Sequence, residues 1–113
     1  YMQSYNVMGV AKAALETSIR YLAVDMGDRG IRVNAISAGP MRTLAGAVIN
    51  KSRQIYNYTI NNSPIKKPLS LEDIGKSSVY LMSDLSKGVT GEILYVDNGY
   101  NNVGMSIQDL SSV

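Results

Sequence analysis

The spacing of apolar residues predicts a long helix near the beginning of the chain. Residues 5–28, YNVMGVAKAALETSIRYLAVDMGD, are rich in helix-forming residues. Apolar side chains recur within this stretch at steps of three and four positions, at Leu15, Ile19, Leu22 and Met26. Gly27 and Gly30 then interrupt the pattern. We therefore predict one helix that begins at Tyr5 and ends near Asp28.

Two short segments have the β-branched residues and the partial alternation that are typical of strands: residues 31–37, IRVNAIS, and residues 92–97, EILYVD. A second helix is predicted between them at residues 70–84, with Ser70 as its N-cap. Residues 43–60 have a weaker helical pattern. A strand, a connection that contains a helix, and another strand are typical of a parallel α/β sheet. Because two strands are too few for a stable sheet, further strands are expected from residues outside this sequence.

Composition limits the chemistry that the chain can perform. Its 113 residues, eleven basic and nine acidic, have the length of one ordinary domain. The charges are scattered, so no basic stripe indicates a nucleic acid or an anionic membrane as partner. His and Cys do not occur, which excludes disulfides, thiol nucleophiles and zinc sites built from those ligands. Any reaction must use Tyr, Lys, carboxylates, hydroxyl groups or a bound cofactor, and no metal is expected.

The apolar runs and the first residues of the sequence indicate where the protein is expected to be located. Apolar runs are short of the ~20 residues that a membrane-spanning helix needs. The first eight residues, YMQSYNVM, lack the regions of a signal peptide. We therefore expect a cytoplasmic protein without a membrane partner. Since the chain opens with Tyr rather than Met, and directly on its most informative motif, we also expect that a further part of the protein precedes it.

That motif is the pair Tyr5 and Lys12, seven positions apart in YNVMGVAK. Seven residues are just under two helical turns, so the two side chains would project from nearly the same face, about 10 Å apart along the axis. A Tyr hydroxyl can donate to a carbonyl or to a developing oxyanion, and a nearby ammonium favours negative charge there. The spacing alone leaves an alternative open, in which Tyr5 is an interfacial aromatic and Lys12 a solvated charge.

Three segments in order carry a resemblance to a known family: YNVMGVAKAALE at residues 5–16, RVNAISAGPMRTLA at residues 32–45 and SDLSKGVTGEILYVDNG at residues 83–99. They resemble the active-site helix, the strand and loop beneath the nicotinamide, and the last strand of the short-chain dehydrogenase/reductase superfamily. Most of its members have Tyr and Lys four positions apart. The spacing of seven is similar to that of the bacterial-type enoyl-[acyl-carrier-protein] reductases of fatty acid biosynthesis.

The resemblance implies a fold and a domain organisation. Residues 1–113 would form the C-terminal part of a single Rossmann-like reductase domain, that is, the last two strands of a doubly wound parallel sheet with their flanking helices. Residues 43–69 would form a substrate-binding loop with helices. The N-terminal dinucleotide-binding half, with its glycine-rich turn, is absent from this sequence.

The resemblance also implies roles for individual residues. Tyr5 would bind the thioester carbonyl and stabilise the enolate, and Lys12 would hold the nicotinamide ribose. The remaining cofactor contacts would come from the loop after the first strand, at Met41, Arg42, Thr43, Leu44 and Ala45. The acyl chain would lie against Met8, Ala45, Gly46 and Ile49.

The implied reaction is hydride transfer from NADH, with NADPH possible, to the β-carbon of a trans-2-enoyl thioester carried by acyl carrier protein. Family members are usually homotetramers, so self-association is expected, and the chain would need the N-terminal part of its own protein. Two alternatives stay open: a short-chain dehydrogenase/reductase that acts on a ketone or alcohol, and an inactive fragment that serves only in assembly.

Overall fold

The computed structural model describes residues 5–41 and 52–105 of the chain. Its regular elements follow in the order α1 (Asn6–Gly27), β1 (Ala35–Ala38), α2 (Ser52–Asn62), α3 (Leu71–Met82) and β2 (Ile93–Val96). Short 3₁₀ turns occupy Asp84–Ser86 and Tyr100–Asn102. The order of elements agrees with the α/β prediction. The helix predicted over residues 70–84 is α3, which ends two residues earlier.

The two strands pair directly and run in the same direction. The amide of Ala35 donates to the carbonyl of Glu92 at 2.9 Å, and four residues further along, the amide of Gly39 donates to the carbonyl of Val96 at 3.0 Å. Because both partners advance together along the chain, the pairing is parallel. This confirms the expected last two strands of a parallel sheet with flanking helices.

The first strand begins later than the sequence predicts. Residues 31–34 are not part of β1, because polar side chains replace part of the ladder: the carbonyl of Val33 still accepts from the amide of Gly91 at 2.7 Å, but the neighbouring bonds involve side chains. The amide of Val33 donates to the Thr90 hydroxyl at 3.0 Å. The side chain of Asn34 donates to the carbonyl of Val89 and accepts from the amide of Glu92, at 3.0 and 3.1 Å. The prediction of a strand from residue 31 was therefore wrong.

Helix α3 begins at the cap that the sequence predicts. The amide of Asp73 donates to the Ser70 hydroxyl oxygen at 3.1 Å, and the Asp73 carboxylate accepts from the amide and the hydroxyl of Ser70, at 3.0 and 2.7 Å. This reciprocal arrangement is a capping box, with Ser70 as the N-cap and Asp73 as the third residue of the helix. The negative charges of Glu72 and Asp73 also lie in the first turn, where the helix dipole favours them.

The described residues divide into two compact units, one containing residues 5–36 and 79–94 and the other residues 37–41, 52–78 and 95–105. In the first unit, Ala23 of α1 packs close to Gly91, where an added Cβ would lie 3.4 Å from the Ala23 methyl group. In the second unit, Ser63 is buried and its hydroxyl donates to the carbonyl of Thr59 at 2.7 Å. Each unit therefore has a small buried centre of its own.

Helix α1 is largely uncovered in this chain. Of its described residues, Ala23 alone is buried, and large apolar side chains project into solvent on several sides, at Val7, Val10, Tyr21 and Val24, each at least 70% exposed. The apolar residues that predicted this helix are only partly covered, since Ile19 and Met26 are half-buried and Leu15 is 50% exposed. A helix that is apolar on most sides is normally enclosed by other elements.

Candidate active site

Tyr5 lies at the start of α1, as its N-cap residue, with φ −118° and ψ 24°. Its carbonyl accepts from the amide of Gly9 at 2.8 Å, which is the first hydrogen bond of the helix. Its side chain makes no capping hydrogen bond and is half-buried. The phenol hydroxyl has no hydrogen-bond partner among residues 5–41 and 52–105, so it is free to donate to a ligand.

Lys12 lies two turns further along α1 and is exposed. Glu16 follows it by four positions, a spacing that often gives an ion pair on a helix. In the described part of the chain, the only ion pair joins Lys76 to Glu72, at 2.7 Å, and Lys12 is in none. Its ammonium group is therefore without an ion-pair partner in the described residues, and its place beside Tyr5 in a common site stays a prediction.

Met8, predicted to face the acyl chain, is 43% exposed and lies on α1 between these two residues. It is close to both in sequence, one turn from each. No other side chain within the described residues covers it enough to bury it. This position is compatible with contact to an apolar ligand that Tyr5 binds, and its role stays a prediction.

The predicted cofactor loop follows β1. Gly39 and Pro40 end the strand, and Met41 is half-buried in irregular backbone. The other residues predicted to bind cofactor or substrate here lie outside the described residues: Arg42, Thr43, Leu44, Ala45, Gly46 and Ile49. The carboxyl ends of strands in an open parallel sheet are where such folds bind their ligands, so the loop begins at the expected edge.

Gly39 is required at this edge by a close approach of two backbones. A Cβ at Gly39 would lie 3.0 Å from the Asp97 Cα and 3.1 Å from its Cβ. Asp97 follows β2 and in turn holds the chain after it, since its carboxylate accepts from the amides of Gly99 and Asn101, at 2.9 and 2.7 Å. The ends of both strands are therefore tightly fixed to each other within the second unit.

A shallow, open cavity of about 500 Å³ lies in the second unit, and of the predicted substrate-binding segment, residues 43–69, it is lined by Ile65, Lys67 and Leu69. Its charged lining consists of Lys67, Asp73, Lys76 and Asp97. The hydrogen bonds from the Ser70 side chain and backbone lower the pKa of Asp73. Both carboxylates are already engaged by protein donors, and Lys76 pairs with Glu72. The cavity therefore offers mixed charge without a convergent set of free groups.

Two further properties concern metals and membranes. In residues 5–41 and 52–105, no group of three or more acidic side chains comes together in a way that could hold a metal ion. Among the described helices, none combines the length and the apolar character needed to cross a membrane.

Comparison with known proteins identifies the family. A family model described as enoyl-(acyl carrier protein) reductase matches residues 1–101. The chain belongs to this family. It is 64% identical over 104 residues, 92% of its length, to enoyl-[acyl-carrier-protein] reductase [NADH] 2 of Rhizobium meliloti. It is 58% identical over 112 residues, 99% of its length, to the NADH enzyme 1 of the same organism.

Solved structures of family members agree with the fold. FabI from Candidatus Liberibacter asiaticus matches with a TM-score of 0.85 and 61% identity over 89% of this chain. The Bacillus cereus enoyl-acyl carrier protein reductase, solved with NADP⁺ and indole naphthyridinone, matches with a TM-score of 0.89 and 48% identity over 92% of this chain. The chain spans only 39% and 41% of the length of the two Rhizobium meliloti relatives, and 39% and 40% of these two structures.

The sequence predicted no role for Asn98, which lies in the turn after β2. In the structure, Asn98 has φ +58° and its side chain bonds to the carbonyl of Lys67. The sequence signal was present, because Asn is the non-glycine residue that most readily adopts this conformation.

Proposed function

We propose that the protein containing this chain is an NADH-dependent enoyl-[acyl-carrier-protein] reductase of fatty acid biosynthesis. It would reduce the trans-2 double bond of an enoyl group carried as a thioester on acyl carrier protein. The observation that carries the proposal is that Tyr5, the N-cap of α1, and Lys12, seven residues later, both have polar groups without a partner among the described residues, in a chain that belongs to this family. The two Rhizobium meliloti relatives are named as NADH enzymes.

The free donors fit a nicotinamide nucleotide and a thioester. A bound nicotinamide cofactor supplies the hydride for the β-carbon. The Tyr5 hydroxyl donates a hydrogen bond to the thioester carbonyl and stabilises the negative charge that develops on that oxygen. The Lys12 ammonium donates to the ribose hydroxyls and adds positive potential at the same oxygen. Neither group has to break a hydrogen bond to residues 5–41 or 52–105 to do so.

The loop after β1 would complete the site. We propose that Met41, through its backbone, and Arg42, Thr43, Leu44 and Ala45 line the nicotinamide carboxamide and the pyrophosphate. Met8, Ala45, Gly46 and Ile49 would contact the acyl chain, and the apolar character of these residues suits exclusion of water from the reacting carbons. Residues 43–69 as a whole would form the substrate-binding segment. No metal takes part.

The rest of the site would come from residues outside this sequence. The adenine half of the cofactor needs a glycine-rich turn, which these residues lack. Apolar side chains of α1 are exposed, including Val7, Val10 and Val24, which supports the proposal that further parts of the protein or other subunits pack against this helix. We propose a cytoplasmic homotetramer for the full-length enzyme, and we expect the 113 residues alone to be inactive.

The proposal can be tested by assaying the full-length protein with NADH or NADPH and two thioesters. We expect NADH oxidation with crotonyl thioester and little with acetoacetyl thioester. Turnover of the keto compound alone would show that the protein is a different short-chain reductase. Failure with both substrates, in a folded protein that binds NADH, would favour the assembly role instead.

A further inference from the structure

The turn after β2 contains an unusual backbone position. Asn98 is the only non-glycine residue with positive φ in the described part of the chain, at +58°, and Gly99 follows with φ +83°. Such a conformation disfavours most side chains and persists where the surroundings hold it. Asp97 supplies part of that support through its bonds to the amides of Gly99 and Asn101. The turn is therefore held independently of the Asn98 side chain.

Asn98 makes two hydrogen bonds to a segment more than thirty residues earlier in the chain. Its carbonyl accepts from the amide of Ile65 at 3.1 Å, and its side-chain Nδ2 donates to the carbonyl of Lys67 at 2.7 Å. The neighbouring Gly99 packs against Pro64, where an added Cβ would lie 3.0 Å from the Pro64 Cγ. The turn thus holds residues 64–67 by both backbone and side chain.

Residues 64–67 follow the end of α2 in the chain, separated from its last residue, Asn62, by Ser63. Ser63, at the end of that helix, is buried, and both its amide and its hydroxyl donate to the carbonyl of Thr59, at 2.8 and 2.7 Å. Thr59 is itself buried and its hydroxyl donates to the carbonyl of Ile55 at 2.9 Å. A shift of residues 64–67 would therefore move the last turns of α2.

We propose that Asn98 is a positioning residue that fixes residues 64–67 and the end of α2, the C-terminal part of the substrate-binding segment, without touching the substrate. This inference rests on the proposed function, because residues 43–69 are assigned to substrate binding there. The backbone bond to Ile65 survives any substitution that keeps positive φ, whereas the bond to Lys67 needs the side-chain amide. A glycine at this position could keep the backbone conformation but could not make the side-chain bond to Lys67.

Two variants of the full-length protein separate these contributions. Asn98→Asp keeps the size and the tolerance of positive φ, but it places a carboxylate oxygen against the Lys67 carbonyl oxygen. Asn98→Gly keeps the backbone conformation and loses only the side-chain bond. Asn102→Asp is the matched control, because it makes the same chemical change at an exposed side chain of the next turn that has no hydrogen bond within the described residues.

Hydrogen exchange gives a readout that does not depend on activity. We expect the peptide covering residues 59–67 to exchange about tenfold faster in Asn98→Asp, and more modestly faster in Asn98→Gly, as loss of one hydrogen bond predicts. Asn102→Asp should exchange as the wild type does. Unchanged exchange in both Asn98 variants would overturn the proposal, even if the wild-type protein proved to have no reductase activity.

Kinetics test the link to substrate. We expect Asn98→Asp to raise the KM for the enoyl thioester about three- to tenfold, while kcat and the KM for NADH change less than about twofold. Asn98→Gly should show the same pattern at smaller size. Equal losses in all three parameters would indicate a general structural role and contradict the proposal. If the wild type reduces no enoyl thioester, the proposed function fails, and the exchange result alone decides the positioning role.

Discussion

The guanidinium of Arg32 donates to the carbonyl oxygen of Leu81 at 2.7 Å and so satisfies the last turn of α3 from a residue 49 positions earlier in the chain. The same group donates to the carbonyls of Ser83 and Val89, at 3.3 and 3.1 Å. Carbonyl groups at a helix C-terminus have no partner within the helix, and a cation there also suits the helix dipole. Arg32 thus joins three backbone segments of the first unit.

Replacing Arg32 should therefore destabilise the protein. We expect Arg32→Met to lower the free energy of unfolding by about 2 kcal/mol, because half-buried carbonyls lose charge-assisted hydrogen bonds. Arg32→Lys should recover only part of this, since one ammonium cannot match the planar fork of donors. The measurement is urea unfolding of the full-length protein. Arg29→Met is the control, because Arg29 is exposed and its side chain makes no hydrogen bond within the described residues, and an equal loss in both would contradict the expectation.

A pair of glycine substitutions should have opposite effects. Gly39→Ala places a methyl group 3.0 Å from the Asp97 Cα, and since that neighbour is backbone, we expect a loss of roughly 1–3 kcal/mol in the free energy of unfolding. Gly75 lies inside α3 with nothing within 4 Å of an added Cβ. Gly75→Ala should therefore stabilise the protein by roughly 0.5–1 kcal/mol through helix propensity. Thermal unfolding of both variants checks the signs.

The cap of α3 predicts a pH dependence. The side-chain and backbone hydrogen bonds from Ser70 hold the pKa of Asp73 below its usual value in the folded state. The ionised carboxylate therefore contributes stability above the pKa of the unfolded chain, near 4, and the contribution is lost as pH falls through the lower folded-state pKa. The difference in unfolding free energy between wild type and Asp73→Asn should be largest near neutral pH and shrink as the pH falls below the pKa of the unfolded chain and then through the lower folded-state pKa.

The cause of this effect can be isolated with Ser70→Ala. In that background the hydroxyl that donates to the Asp73 carboxylate is lost, while the backbone amide of residue 70 remains. Asp73→Asn should therefore have a smaller pH-dependent effect on the unfolding free energy than in the wild type. Because the site is exposed, added salt should reduce the difference as well. A pH dependence of the same size with and without the Ser70 hydroxyl would show that Ser70 is not its source.

Substitutions at the proposed catalytic pair should separate two roles. Tyr5→Phe removes the donor to the thioester carbonyl and should lower kcat about 10²- to 10³-fold, with little change in NADH affinity. Lys12→Met should weaken NADH binding as well as turnover. Steady-state assays of the full-length protein measure kcat, and fluorescence titration with NADH measures the affinity for NADH. Tyr21→Phe, on the same helix and 70% exposed, should behave as the wild type does.

The sequence determined the elements whose signals are local. Helix α1 was predicted within one residue at each end, and Ser70 was identified as the cap of α3, because helix propensity and capping depend on residues a few positions apart. The segment 92–97 was identified as a strand for the same reason. The order of the three motifs also placed the chain in the family that the comparisons show.

Tertiary structure decided features that join distant parts of the chain. The strand over residues 31–37 became Ala35–Ala38, because Val33 and Asn34 bond to residues 89–92, more than fifty positions away. The roles of Arg32 and Asn98 likewise depend on carbonyl groups brought close only by folding. Local sequence patterns do not indicate such distant partners. A residue that the sequence suggests is a surface cation, or part of a simple turn, can therefore hold two segments together.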